Sequence, residues 1–257
     1  MSALEIEDLV VRYGNREVVS GVSIEVPAGR TLGLVGESGS GKSTVANAAV
    51  GLAPVHSGDI RVHGTSVVGR SKAARTARRR LQLVFQDPFS ALDPRMSAGD
   101  SIAEGLIAST RTYTRAERRD RVAELLRQVE LDPSRADELP RAFSGGQRQR
   151  ITIARALASD PGILIADEVT SALDVSVQGS ILNLLRDLQQ RLDLSILFIS
   201  HNLAVVRYVS DEICVMRGGR IVEAGPTETV LANPAAAYTR ELLEAVPVLG
   251  RRMEFSE

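Results

Sequence analysis

Residues 36–44 read GESGSGKST, and they restrict the fold more than any other stretch of this 257-residue chain. The run Gly36-Glu37-Ser38-Gly39-Ser40-Gly41-Lys42-Ser43 satisfies G-x-x-x-x-G-K-[ST] in full. Glycine lets the backbone curl until successive N–H groups point inward, an arrangement suited to phosphate oxygens. A helix after the loop adds the positive end of its dipole. The flanks fit: TLGLV at 31–35 is a short apolar run bounded by Gly36, and a helical pattern extends from Lys42 to about Leu52. Lys42 is expected to reach β- and γ-phosphates, and the Ser43 hydroxyl to ligate Mg2+. Gly36, Ser38, Gly39, Ser40, Gly41 and Thr44 complete the expected nucleotide cradle.

The same strand–helix rhythm continues elsewhere. Strands are predicted at 4–11, 17–26, 59–63, 81–85, 162–166, 195–200 and 212–216, with helices near 174–192 and 202–209. Unbroken apolar strands alternating with helices imply a mainly parallel, covered sheet. Residues 97–160 differ: they hold no strong strand and several helical patterns. TRAE at 114–117 is a candidate capping box, and Val122, Leu125, Leu126 and Val129 behind it share one helical face. The expectation is one α/β domain over 1–257. Residues 1–94 and 161–257 would form the core plus an N-terminal antiparallel β subdomain, and 95–160 an inserted helical subdomain carrying FSGGQ. GGRIVEAGP reads as closing a hairpin, with two short helices after it.

Composition removes several function classes. Lys and Arg total 31 against 32 Asp and Glu, a net charge of -1, which argues against a general nucleic-acid binder. One cysteine, Cys214, excludes a disulfide framework or a multi-cysteine metal site, and the three histidines form no ligand-spaced cluster. The start, MSALEIEDLV, is acidic where a signal peptide would be basic, and no apolar run is long enough for a membrane helix. An intracellular protein able to dock on a membrane protein is expected. The basic run RSKAARTARRR at 70–80 reads as a solvated helix face or loop, with a partner contact as the alternative.

Strand ends carry the remaining chemistry. GILIADE at 162–168 is an apolar strand closing on two carboxylates, and burying an acid without a purpose or partner is costly. Asp167 suits an outer hold on Mg2+. Glu168, turned the other way by the pleat, could orient and deprotonate an attacking water. His201 follows SILFIS at another strand end, either as a structural hydrogen-bonder or as a contact to the γ-phosphate or the water. Gln86, after LQLVF, could ligate or sense Mg2+. Tyr13 is either an ordinary strand aromatic or a platform for a base. A second glycine-rich helix start, FSGGQRQR at 143–150, offers a serine cap and bare amides for another phosphate.

Taken together, these residues resemble the ATP-binding subunits of ABC transporters along nearly the whole chain. The resemblance implies Tyr13 as the adenine-stacking aromatic, 36–44 as Walker A, Gln86 as the Q-loop, FSGGQ at 143–147 as the signature, and ILIADE as Walker B. SALD at 171–174 would be the D-loop and His201 the switch histidine. In this family two such domains pair head to tail. Ser144, Gly145, Gly146 and Gln147 would then hold the γ-phosphate of an ATP bound to the neighbour's Walker A. The implied fold is a P-loop NTPase core, and the implied cofactors are ATP and Mg2+.

Finer wording, VFQDPFSALDPRM, DEVTSALDVSVQ and NPAAAYTRELLEAVP, is similar to the dipeptide, oligopeptide and nickel importer branch. That branch implies a second, non-identical ATP-binding subunit, two integral-membrane permeases, an extracytoplasmic solute-binding protein, and a place on the cytoplasmic face of the cell membrane. Peptide is favoured over nickel as the solute; a mechanochemical ABC ATPase acting on DNA or ribosomes is the outlying alternative. Three departures stand out. Val169 replaces the family's usual proline, Asn202 its common aspartate, and the cysteines of longer, cluster-bearing relatives are missing, so no iron–sulfur cluster is expected.

Overall fold

The computed structural model describes residues 2–109 and 111–244. Five strands run parallel, their middles apolar and mostly buried on both faces, as a covered parallel sheet requires. They are β3 (Thr31–Val35), β6 (Leu81–Val84), β7 (Ile163–Asp167), β8 (Ser195–Ser200) and β9 (Glu212–Arg217); β10 (Arg220–Pro226) adds an antiparallel edge. Their order is β10-β9-β3-β8-β7-β6. A smaller antiparallel sheet, β2-β1-β4-β5, is built from β1 (Ser2–Tyr13), β2 (Arg16–Pro27), β4 (Val55–Val62) and β5 (Thr65–Ser66). These are the parallel core and the β subdomain expected from the sequence.

The pleat divides each parallel strand between two cores. On β7, Ile163 and Ile165 pack with the small sheet and α1 (Lys42–Ala49), while Leu164 and Ala166 join the helices on the opposite side. Those helices include α3 (Pro88–Ala91), α4 (Ala98–Gly105), α5 (Arg115–Gln128), α6 (Gly145–Leu157), α7 (Val175–Leu192) and α8 (Leu203–Val209), whereas α2 (Lys72–Arg78) lies on the small-sheet side. Two more, α9 (Thr227–Ala232) and α10 (Ala237–Glu244), follow the hairpin. The last residues of NPAAAYTRELLEAVP, 245–247, lie outside the described residues.

Between β6 and β7 no strand intervenes among the described residues. Thr114 caps α5 in a full capping box with Glu117, and Val122, Leu125, Leu126 and Val129 are all buried, as the sequence predicts. The basic run forms α2, which buries Ala74 and Ala77 and leaves Lys72, Arg75, Arg79 and Arg80 exposed. α1 stops at Ala49, short of the expected Leu52, which is 65% exposed. No helix among the described residues is long and apolar enough to cross a membrane.

Candidate nucleotide site

Register brings the site residues to one rim. Val35 pairs with Ser200, Asp167 with Ile199 and Val84 with Ala166, so four parallel strands end level with one another. Gln86, Glu168 and His201 emerge from those ends, and the glycine-rich loop leaves β3 beside them. A cleft of about 480 Å³ lies there, lined by Tyr13, Ser38, Gly39, Gly41, Lys42, Ser43, Thr44, Gln86 and Glu168. Two further lining residues, Arg16 and Val18, escaped the sequence reading. The signal for Arg16 was present, because the Gly14-Asn15 turn pairs it directly with Tyr13.

The loop has to be glycine at its crest. Gly41 caps α1 at φ 108°, and a Cβ there would lie 2.9 Å from the Val18 carbonyl oxygen. Lys42 is only 4% exposed and donates to the carbonyls of Gly36 and Glu37, both at 2.8 Å, and to Ser40 Oγ at 3.4 Å. Burial pushes its ammonium below the usual lysine range, an effect opposed by the charges of Glu168, Asp167 and Glu37. Gly36 and Ser40 are buried within the loop and do not line the cleft, while Ser38, Gly39 and Gly41 to Thr44 do.

Asp167 ends β7 on the α1 side, and there its Oδ1 accepts from Ser43 Oγ at 3.2 Å. Burial raises its carboxyl above the ordinary range; the Ser43 bond pulls it back, Glu168 adds to the rise and Lys42 opposes it. A hydroxyl beside a carboxylate is a hard oxygen pair of the kind Mg2+ takes. No group of three or more His, Cys, Asp or Glu among the described residues could hold a metal alone. Mg2+ binds through one or two protein oxygens and completes its shell with phosphates and waters.

Glu168 is turned by the backbone rather than by the pleat invoked from sequence. The strand ends at Asp167, and Glu168 sits at φ 49°, a conformation costing a residue with a Cβ about 1–2 kcal/mol. Its N–H donates to the Ile199 carbonyl at 2.9 Å, and Ser171 N–H donates to its own carbonyl at 3.0 Å. The carboxylate lies 3.1 Å from His201 Nδ1. Carboxylate and imidazole at that distance can share a proton and orient a water. Of the two departures here, Val169 is 1% exposed and packs into the helical core. Asn202 caps α8, its side-chain oxygen accepting from Ala204 N–H at 3.0 Å and Val205 N–H at 3.4 Å, a task aspartate performs equally well.

The second glycine-rich segment is elsewhere. Ser144 caps α6: its hydroxyl accepts from Gln147 N–H at 3.3 Å, and Gln147 Oε1 accepts from Ser144 N–H at 3.1 Å. None of Ser144, Gly145, Gly146 or Gln147 lines the cleft that holds Lys42. Gly146 is required by packing, since a Cβ there would lie 2.4 Å from Val177 Cγ1.

A glycine-rich loop between strand and helix, with a carboxylate pair at the end of β7 one strand removed from it, defines a phosphate-loop ATPase. The protein-family model described as ABC transporter matches residues 19–171, more than half of the chain, and the chain belongs to that family. It is 49% identical over 232 residues to the Di/tripeptide transport ATP-binding protein DppF of Pseudomonas aeruginosa, covering 90% of this chain and 72% of that one. A chain of Brucella abortus provisionally named a peptide import ATP-binding protein is 53% identical over 231 residues, covering 89% and 69%. Among solved structures, CbiO1 of Clostridium perfringens, part of the ABC transporter complex CbiONQ, superposes with a TM-score of 0.81 at 27% identity, covering 90% and 91%. The ATP-binding cassette MJ0796, dimeric in a post-hydrolysis state with ADP and Pi, gives 0.76 at 27% identity, covering 87% and 98%. The chain is an ATP-hydrolysing subunit of an ABC transporter, with ATP and Mg2+ as its cofactors.

Proposed function

We propose that the chain powers the uptake of short peptides by closing on a second ATP-binding subunit and reopening after hydrolysis. The observation that carries this reading is the separation of the two glycine-rich helix starts: the Lys42 cleft has no contribution from Ser144–Gln147 of the same chain. A γ-phosphate in that cleft would be completed by the signature of a neighbour, so nucleotide joins two chains and its cleavage parts them. The peptide assignment is supported by relatives about half identical over most of the chain.

Within the cleft the residues take separate tasks. Tyr13, 49% exposed at the rim, offers its ring to the base. Lys42 keeps the Gly36 carbonyl and turns its other two N–H groups from Glu37 and Ser40 to β- and γ-phosphate oxygens, and the loop amides take the rest. Ser43, Asp167 and Gln86 would hold Mg2+, which when bound supplies charge neutralisation across the phosphate oxygens. Glu168 accepts the proton of a water attacking the γ-phosphorus, and His201 at 3.1 Å fixes the carboxylate and reaches the transferred group. The phosphorus–oxygen bond to the β-phosphate breaks as the new one forms.

The division into a core with its β subdomain (1–94 and 161–257) and a helical subdomain (95–160) is part of the same reading, with the helical part and the segment after Gln86 gripping the permeases. The partners would be a non-identical ATP-binding subunit, two permeases and an extracytoplasmic solute-binding protein, with this chain at the cytoplasmic membrane face and no role for nucleic acid. Affinity purification of the chain from membranes should recover two permeases and a second ATP-binding subunit, and its deletion should abolish uptake of a labelled dipeptide. Undiminished dipeptide uptake with lost nickel uptake would replace peptide by nickel.

A further inference from the structure

The peptide unit joining Gly36 to Glu37 is held at both ends. Its carbonyl accepts from Lys42 Nζ at 2.8 Å, and its N–H donates to the Tyr238 hydroxyl at 3.0 Å. Tyr238 lies on α10, 201 residues downstream of Glu37, and is only 3% exposed. Burial pushes its hydroxyl above the usual tyrosine range, so it stays a neutral phenol at physiological pH.

The placement of this hydroxyl is built, not incidental. The Arg217 guanidinium stacks 4.5 Å from the Tyr238 ring centroid. Two residues further, Gly219 N–H donates to the Ser40 carbonyl at 2.9 Å, so the β9–β10 turn and α10 brace the same loop from outside. α10 is itself anchored at its start, where Glu223 accepts from the N–H groups of Ala235 at 2.7 Å and Ala236 at 3.1 Å. Hydrogen bonds at the two ends of one amide reinforce each other, so what happens at Tyr238 is felt at Lys42.

We propose that Tyr238 is a positioning residue for ATP: its hydroxyl fixes the Gly36–Glu37 peptide, and through that carbonyl it sets the Lys42 ammonium for the β- and γ-phosphates. This rests on reading 36–44 as the nucleotide loop. Without the hydroxyl the Glu37 N–H loses its acceptor and the peptide can turn, so the Lys42 site is no longer preorganised.

Tyr238→Phe keeps the ring and its stacking and removes only the oxygen. In the purified chain, binding of a fluorescent ATP analogue should weaken about 3- to 10-fold, a difference of about 0.7–1.4 kcal/mol. In the assembled ATPase, KM for ATP should rise by the same factor with kcat at saturation within about twofold. Arg217→Leu leaves the hydroxyl in place and should weaken binding less than threefold. Because Tyr238 acts through Lys42, Tyr238→Phe should have no further effect in a Lys42→Ala background. Unchanged affinity in Tyr238→Phe, a fall in kcat at constant KM, or additive losses in the double variant would each overturn the proposal. If Lys42→Ala also binds ATP normally, the loop reading itself falls; if Lys42→Ala binds weakly and Tyr238→Phe normally, only the role of Tyr238 falls.

Discussion

Two helices in this molecule begin with glycine-rich turns, and they are built for different duties. At α1 the turn curls through Gly41 at φ 108° around a buried lysine, with a serine and an aspartate within hydrogen-bond reach. At α6 the turn is an ordinary capped start, where Ser144 and Gln147 satisfy one another. By helix geometry the Gly145 and Gly146 amides have no acceptor within α6. The first place supplies a cation and oxygens for Mg2+ as well as amides; the second supplies dipole, amides and a hydroxyl. On the proposed reading, the first binds the triphosphate and the second completes a phosphate already bound on a neighbour.

The sharpest way to separate these duties is to remove the chemistry while leaving both phosphate contacts. Glu168→Gln keeps the turn at 168–171 but cannot accept a proton, and turnover should fall about 10²–10⁴-fold while ATP remains bound. Phosphate release and retained nucleotide, measured together, check this; near-normal turnover would remove Glu168 from its role. Next comes binding. Lys42→Ala deletes charged hydrogen bonds of the kind worth about 1.5–3 kcal/mol, so ATP affinity should fall about 10- to 100-fold by titration.

Ser144→Arg should do the reverse. ATP affinity of the variant chain's own loop should stay within about twofold, while ATP-dependent pairing, read by light scattering, disappears and hydrolysis falls at least tenfold. A monomer of this variant hydrolysing at full rate would erase the contrast between the two helix starts.

The smallest effect concerns Asp167 without nucleotide. Its folded-state carboxyl holds its proton more tightly than in the unfolded chain. The stability this contributes is full below the ordinary carboxylate range and is lost as pH rises through the raised value. Asp167→Asn should therefore raise the melting temperature at pH 7.5 in the absence of ATP and Mg2+, with the gain shrinking as pH falls. A lower melting temperature at pH 7.5 would contradict the burial effect.

Much of the site was legible because it depends on strand ends. Apolar runs such as ILIA and SILFIS announce buried parallel strands, and the polar residues just past each run must surface on a common rim. The capping box at Thr114 and the helical face behind it were equally local signals. The features that stayed hidden depend on contacts between distant segments or on a single dihedral. The direction of Glu168 comes from φ 49°, which no spacing encodes. The grip of Tyr238 on the loop joins residues 201 positions apart. Arg16 lay between these cases, readable only once the hairpin pairing of Tyr13 was drawn.

The tight seat of Gly146 against Val177 has a mechanical consequence. Val177 stands in the first turn of α7, and Gln178 beside it donates to the carbonyls of Thr170 at 2.9 Å and Leu173 at 3.0 Å, tying down the loop that leaves Glu168. There is no room for even a methyl group to cushion this joint. If two such chains pair as proposed, a push on the tip of α6 by the neighbour's nucleotide would be handed on to the turn that carries Glu168, and the two sites would be expected to run in step rather than as independent motors.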